Sequence, residues 1–216
     1  MAPVAEESSE MQVDTPAVDS SKQKVANPSA SAESASAHPD MSLAQSIHQM
    51  TVIVNGTLED PAAVNLSSDL SEIVMKKIAG PEVENPSLYR HLKEVVLKDS
   101  TLELLSEEEL TAVEERHRKT LEELEAKVED AKENAGEMEV LAARFEVARF
   151  AARSLSKEEA MAAYDKILAL PKLSSGKIID VVMESARVAS FHDDTKKNGE
   201  LVEKVCELIN LLGYLI

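Results

Sequence analysis

The feature that most constrains this chain is the stretch from Met138 to Leu170, which reads as two helices of matched length joined by a tight turn. Between Met138 and Arg153 the apolar residues Val140, Leu141, Phe145, Ala148 and Ala152 recur every three or four positions, the period of one helix face. Ser156 stands three residues ahead of Glu159, the reciprocal pairing in which serine and glutamate satisfy free backbone donors at a helix start. The second helix, Lys157 to Leu170, carries Ala160, Met161, Tyr164, Ile167 and Leu168 on one face and is expected to halt at Pro171. Such a pair closes as a helical hairpin. Two helices in contact need small residues where they touch, and Ala148 and Ala160 hold those positions, with the Tyr164 ring filling the space beside them.

Composition extends this reading to the whole molecule. The chain has 216 residues, 44% of them hydrophobic, which is enough to bury a core. Aromatic residues make up 3%, tryptophan is absent, and Ala, Leu, Glu and Lys are abundant, so helices are favoured over sheets and an all-α fold is predicted. The net charge of -17 repels nucleic acid and anionic membrane, which leaves proteins as the expected partners. No apolar run reaches the roughly 20 residues that span a bilayer. The single cysteine, Cys206, and a start without basic and apolar leader regions point to a reducing compartment, so a cytoplasmic and nuclear location is expected.

Taken in order, residues 1–40 are rich in Ser, Ala, Glu and Pro with no hydrophobic period, and read as a disordered acidic tail. Residues 41–105 read as short amphipathic helices. Leu43, Ile47, Met50 and Ile53 or Val54 mark the first, Leu66, Leu70, Ile73, Val74 and Ile78 the second, and Leu88, Leu92, Val95 and Val96 the third. Residues 106–135 open with a capping box at Ser106 and Glu109 and continue without Gly or Pro as one long charged helix. Between Glu107 and Glu133 eleven acidic residues face five basic ones. Leu110, Val113, His117, Leu121, Leu124, Val128 and Ala131 form a narrow stripe, and His117 and Thr120 interrupt it as a coiled-coil seam, so a connecting helix about 40 Å long is expected. Residues 136–216 then hold two successive hairpins. The second runs from Lys177 to Phe191, turns through 192–194 and 196–199, and returns with Leu201, Val202, Val205, Leu208, Ile209 and Leu212. Successive hairpins of this length are the sign of a short α-solenoid of degenerate tetratricopeptide type. Leu155 takes the place of the usual turn glycine, and Arg144 that of the consensus tryptophan.

Catalytic chemistry finds little support. His38, His48, His91, His117 and His192 lack metal-binding spacing, and the turn His192-Asp193-Asp194 reads as solvated. Cys206 is expected to be a small core residue, and the carboxylates to be solubilising charge on exposed faces. No enzyme activity, metal or cofactor is predicted.

Three passages carry a family resemblance: Glu129 to Val140, Ser156 to Lys166 and, most strongly, Gly176 to Asp194 (GKIIDVVMESARVASFHDD). His38 to Gln45 and Asn85 to Arg90 extend it upstream. Together they resemble the amino-terminal half of the proteasome regulatory particle lid family of non-ATPase regulatory subunit six. The resemblance implies a non-catalytic scaffold, a curved stack of helical repeats followed by a winged-helix module of the PCI class, acting in ubiquitin-dependent protein degradation. It implies other lid subunits as partners in a hetero-oligomeric complex. The chain ends at Ile216 after two hairpins and before any such module, so a truncated form is expected, with Leu208, Leu211, Leu212 and Tyr214 exposed as a possible interface. The corresponding signalosome subunit shares this architecture. A free tetratricopeptide adaptor is a further alternative, in which Arg144, Arg149, Arg153 and Lys157 would approach a cationic peptide groove.

Overall fold

Local signals determine where most of the helices begin. In the computed structural model the backbone is described for residues 39–56, 61–98 and 102–213, and side chains for the same residues except 61–67, 212 and 213. The acidic tail expected over 1–40 therefore lies almost wholly outside the described residues. The helices are α1 (Met41–Gly56), α2 (Pro61–Ala79), α3 (Pro86–His91), α4 (Glu107–Asn134), α5 (Glu137–Ser154), α6 (Lys157–Leu168), α7 (Ser175–Phe191) and α8 (Thr195–Gly213). The protein is all-helical, with no strand among the described residues.

Ser106 starts α4 with a full capping box: the Glu109 N–H donates to its Oγ, and its own N–H donates to Glu109 Oε2 at 2.8 Å. Ser156 and Glu159 repeat the device at α6. At α7 the Ser174 hydroxyl alone accepts, from Lys177 N–H. Each such cap is worth about 1 kcal/mol. The chain between His91 and Leu97 departs from the expected third helix, because α3 is continued by a π turn over Leu92–Val96, closed by Leu97 N–H on Leu92 C=O at 2.9 Å.

From α4 onward every helix packs on the next in chain order, α4 on α5, α5 on α6, α6 on α7 and α7 on α8. One core, holding Phe145, Ala148, Ala160, Tyr164, Ile167 and Val181, joins α4 through α7. A second gathers Leu43, Met50, Met75, Ile78 and Tyr89 from the first three helices and Leu92 from the π turn, and it takes in Leu110 of α4 and Phe191 of α7. The early helices are thus seated on the later ones by shared apolar burial. No described helix is long and apolar enough to cross a membrane.

Several faces differ from expectation. Ile73 and Val95 point outward, while Met75 and Tyr89 take the core positions. On α2 the apolar residues cover more than one face, and burial selects the Val74, Met75 and Ile78 side. Helix α6 stops at Leu168, two residues early, and Leu170 N–H closes a turn on Ile167 C=O, since a residue before proline is driven out of helical geometry. The second hairpin's turn is confined to 192–194. Lys196 to Gly199, expected in the turn, are helical, because Asp194 Oδ1 accepts the Lys197 N–H at 2.9 Å and so opens α8 there.

Candidate functional site

In a molecule built of stacked helices the functional groups are those that lock the stack and those left facing outward. Ala148 and Tyr164 are fully buried and Ala160 nearly so, all within one core. Tyr164 sits with both alanines in that core, its ring completely shielded. Its hydroxyl reaches beyond the core and donates to Glu184 Oε2 of α7 at 2.9 Å. Arg149 of α5 closes on the same carboxylate, Nη2 to Oε1 at 3.0 Å, while its guanidinium lies 5.2 Å from the centre of the Phe145 ring. Burial first, and the Glu184 charge second, push the Tyr164 hydroxyl up, so it stays a proton donor. One carboxylate thereby ties three consecutive helices.

A second triad lies one helix earlier. Glu125 of α4 accepts from Arg144 of α5 at 2.7 Å and from Lys166 of α6 at 3.1 Å. Burial works against its charge, but Lys166 and Arg144 outweigh that and hold its carboxyl below the usual range. Glu125 and Glu184 therefore depart from the expected solubilising role, since both work as inter-helix bridges. Arg144, at the consensus tryptophan position, replaces aromatic packing with charge.

The loop between α2 and α3 forms a third lock. Asn85, 3% exposed, accepts the Leu88 N–H at 2.9 Å with Oδ1 and so caps α3. Its Nδ2 donates to Leu155 C=O at 2.9 Å, satisfying an acceptor at the end of α5. Ser154 Oγ, also buried, donates back to Val83 C=O at 3.1 Å. Between them Glu84 holds a left-handed backbone, φ 41°, and its carboxylate meets Arg116 at 3.1 Å. His117 is 6% exposed beneath this loop, with Nε2 3.8 Å from Glu84 Oε2 and its ring edge-on to Phe150.

Burial lowers the His117 pKa, against the opposing pull of Glu84, and burial with the nearby Lys157 charge lowers His192 to about 4. Both histidines therefore bind protons more readily unfolded, near their ordinary 6.5, than folded. Stability is full above pH 6.5 and falls as pH drops toward about 4. Urea midpoints measured at pH 7.5 and 4.5 should show this loss, and His192→Gln should flatten it.

The cations weighed as a peptide groove are engaged within the chain. Arg144 pairs with Glu125, Arg149 with Glu184 and Lys157 with Asp194 at 2.6 Å. Arg153 stacks over Phe150 and donates to Ser154 Oγ at 3.2 Å. This leaves no convergent set of free cations there to hold a peptide carboxylate. The same Lys157 pair, with the Lys197 N–H, holds the Asp194 carboxyl below its ordinary value, so the 192–194 turn is a structural joint. Among the described residues no group of three or more His, Cys, Asp or Glu could hold a metal ion.

Helix α8 has two apolar faces. Leu201 and Val205 are buried against α7, whereas Val202, Ile209 and Leu211, the last 62% exposed, face outward. Leu208 is half-buried, while the Leu212 side chain and Tyr214 lie outside the described residues. Cys206 is exposed, which corrects its expected place in the core. It is one position beyond the inward-facing Val205, and that rotation carries it out of the α7 contact.

No curated protein matches the chain. The family model for 26S proteasome subunit RPN7 matches residues 106–213. That segment begins at the capping serine of α4, runs through the last turn of α8 and contains both carboxylate triads, so half of the sequence and the whole sequential stack are covered. The chain belongs to the 26S proteasome subunit RPN7 family.

Proposed function

We propose that this protein is a non-catalytic scaffold of the proteasome lid, held in a hetero-oligomer with other lid subunits in cytoplasm and nucleus, and that it serves ubiquitin-dependent protein degradation. The single observation that carries the reading is the RPN7 match over the stack from α4 to α8. The engagement of Arg144, Arg149, Arg153 and Lys157 within the fold supports it over a free peptide-binding adaptor. Contact with neighbouring subunits is assigned to the end of α8, at Leu208 and Leu211 with Leu212 and Tyr214 following in sequence. The outward Leu211 supports that assignment.

Affinity capture of the tagged chain expressed at native level tests the reading, with lid and signalosome subunits counted separately by mass spectrometry. Lid subunits should be recovered in excess. Recovery of signalosome subunits instead would move the protein to that complex, and recovery of neither would end the scaffold reading. Leu211→Asp should reduce the lid yield while leaving the helical circular dichroism unchanged, since Leu211 is exposed.

A further inference from the structure

Of the seven arginines in the chain, six make an ion pair, a hydrogen bond or a ring contact within the fold, and among the described residues Arg187 has no such partner. It is half-buried on α7, in the wall of a groove of about 380 Å³ between α7, α8 and the start of α1. Met41, Met183 and Val202 supply exposed apolar surface to that wall beside Ala186, and its polar part comes from Ser190, Asn198 and Glu184, whose carboxylate is already held by Arg149 and Tyr164. Ile209, two turns along α8 on the same face as Val202, is exposed as well and prolongs the apolar strip. Methionine side chains adapt to differently shaped neighbours, and a guanidinium presents a planar fork that suits a carboxylate.

We infer that this groove receives an amphipathic helix of a protein partner, whose apolar stripe lies on Met183 and Val202 and which brings one carboxylate to Arg187. Charge complementarity carries the choice of occupant. A half-shielded guanidinium without a partner gains most from a single carboxylate arriving with apolar flanks that exclude water, and such charge-assisted contacts exceed neutral ones about twofold. The net charge of -17 works against the alternative of a long acidic tract, which the chain as a whole would repel. An apolar helix seated in a groove needs anchors at i, i+4 and i+7, and the Val202 to Ile209 strip offers a surface of that length. This inference does not depend on lid membership, because the groove would bind such a helix in the purified chain.

The probe is a fluorescein-labelled helical peptide with leucines at i, i+4 and i+7, one glutamate at i+3 and a neutral far face, compared with versions carrying glutamine or lysine at i+3. Fluorescence anisotropy with the full chain should give affinity about tenfold higher for the glutamate peptide than for the lysine one. Arg187→Glu should reverse that order, and Val202→Glu should weaken all three peptides together. Equal affinities for glutamate and lysine peptides would overturn the proposal, as would no saturable binding of the glutamate peptide at about 1 mM. Sedimentation of the chain alone adds the remaining outcome: a dimer lost in Val202→Glu would assign the groove to a second copy and also overturn it. Circular dichroism on each variant separates lost binding from lost folding.

Discussion

Tyr164→Ala should lower the free energy of unfolding by about 3 to 5 kcal/mol, the range for removing a fully buried aromatic side chain. The ring is completely shielded in the core shared by α4 to α7, and its removal would leave a cavity there. A second cost comes from Glu184, which would lose the hydroxyl donor at 2.9 Å and keep Arg149. Tyr164→Phe isolates that part, retaining the ring and costing about 1 to 2 kcal/mol. Urea titrations of both variants check the ordering. A Tyr164→Ala loss no greater than that of Tyr164→Phe would mean that the ring is not what holds these helices together.

The second large effect is expected at Asn85. Asn85→Leu removes the acceptor that caps α3 and the donor that satisfies Leu155 C=O, in a site that water does not reach. A lost cap costs about 1 kcal/mol and a buried carbonyl left unpaired about 1 to 3, so a total of roughly 2 to 4 kcal/mol is expected. Asn85→Asp separates the two, since it keeps an acceptor for Leu88 N–H but turns a carboxylate oxygen toward the Leu155 carbonyl. Hydrogen exchange should locate the damage at α3 and at the α5 to α6 turn. Unchanged protection in both places would show that the early helices are held by apolar contact alone.

What the sequence made legible follows from distance along the chain. Capping boxes at Ser106 and Ser156 involve residues three apart, so those helix starts were readable, whereas the period gave the inward face only where a helix is apolar on one side. The locks between helices were not readable in this way. Asn85 and Leu155 are 70 residues apart, Glu125 and Lys166 41 apart, and nothing local marks one carboxylate among many as a bridge. Asn85 did carry one clue, since it precedes Pro86 at a helix start, where asparagine is a favoured cap. Tyr89 was hidden because its hydroxyl accepts the N–H groups of Leu104 and Leu105, in a connection with no helical period. Cys206 was misplaced because α8 is apolar on both sides, and periodicity cannot say which side meets α7.

These locks give the stack a mechanical meaning. Each carboxylate triad spans three consecutive helices, Glu184 joining α7 to α6 and α5, and Glu125 joining α4 to α5 and α6. The Asn85 and Ser154 bonds join the end of α5 to the loop between α2 and α3. The stack is therefore tied across helices by side-chain bonds as well as by its apolar cores. Its stability should be sensitive to the bridging residues and tolerant at exposed charges such as Glu123 and Glu133, whose removal changes stability by less than about 0.5 kcal/mol.

The most direct test of the scaffold reading is the composition of proteasomes isolated through a tagged subunit of the proteolytic core. Quantitative mass spectrometry should find this chain in the purified particles at a fixed ratio to the lid subunits, and lost together with them when the lid is dissociated by salt. Absence of the chain from particles that retain the lid would contradict the account.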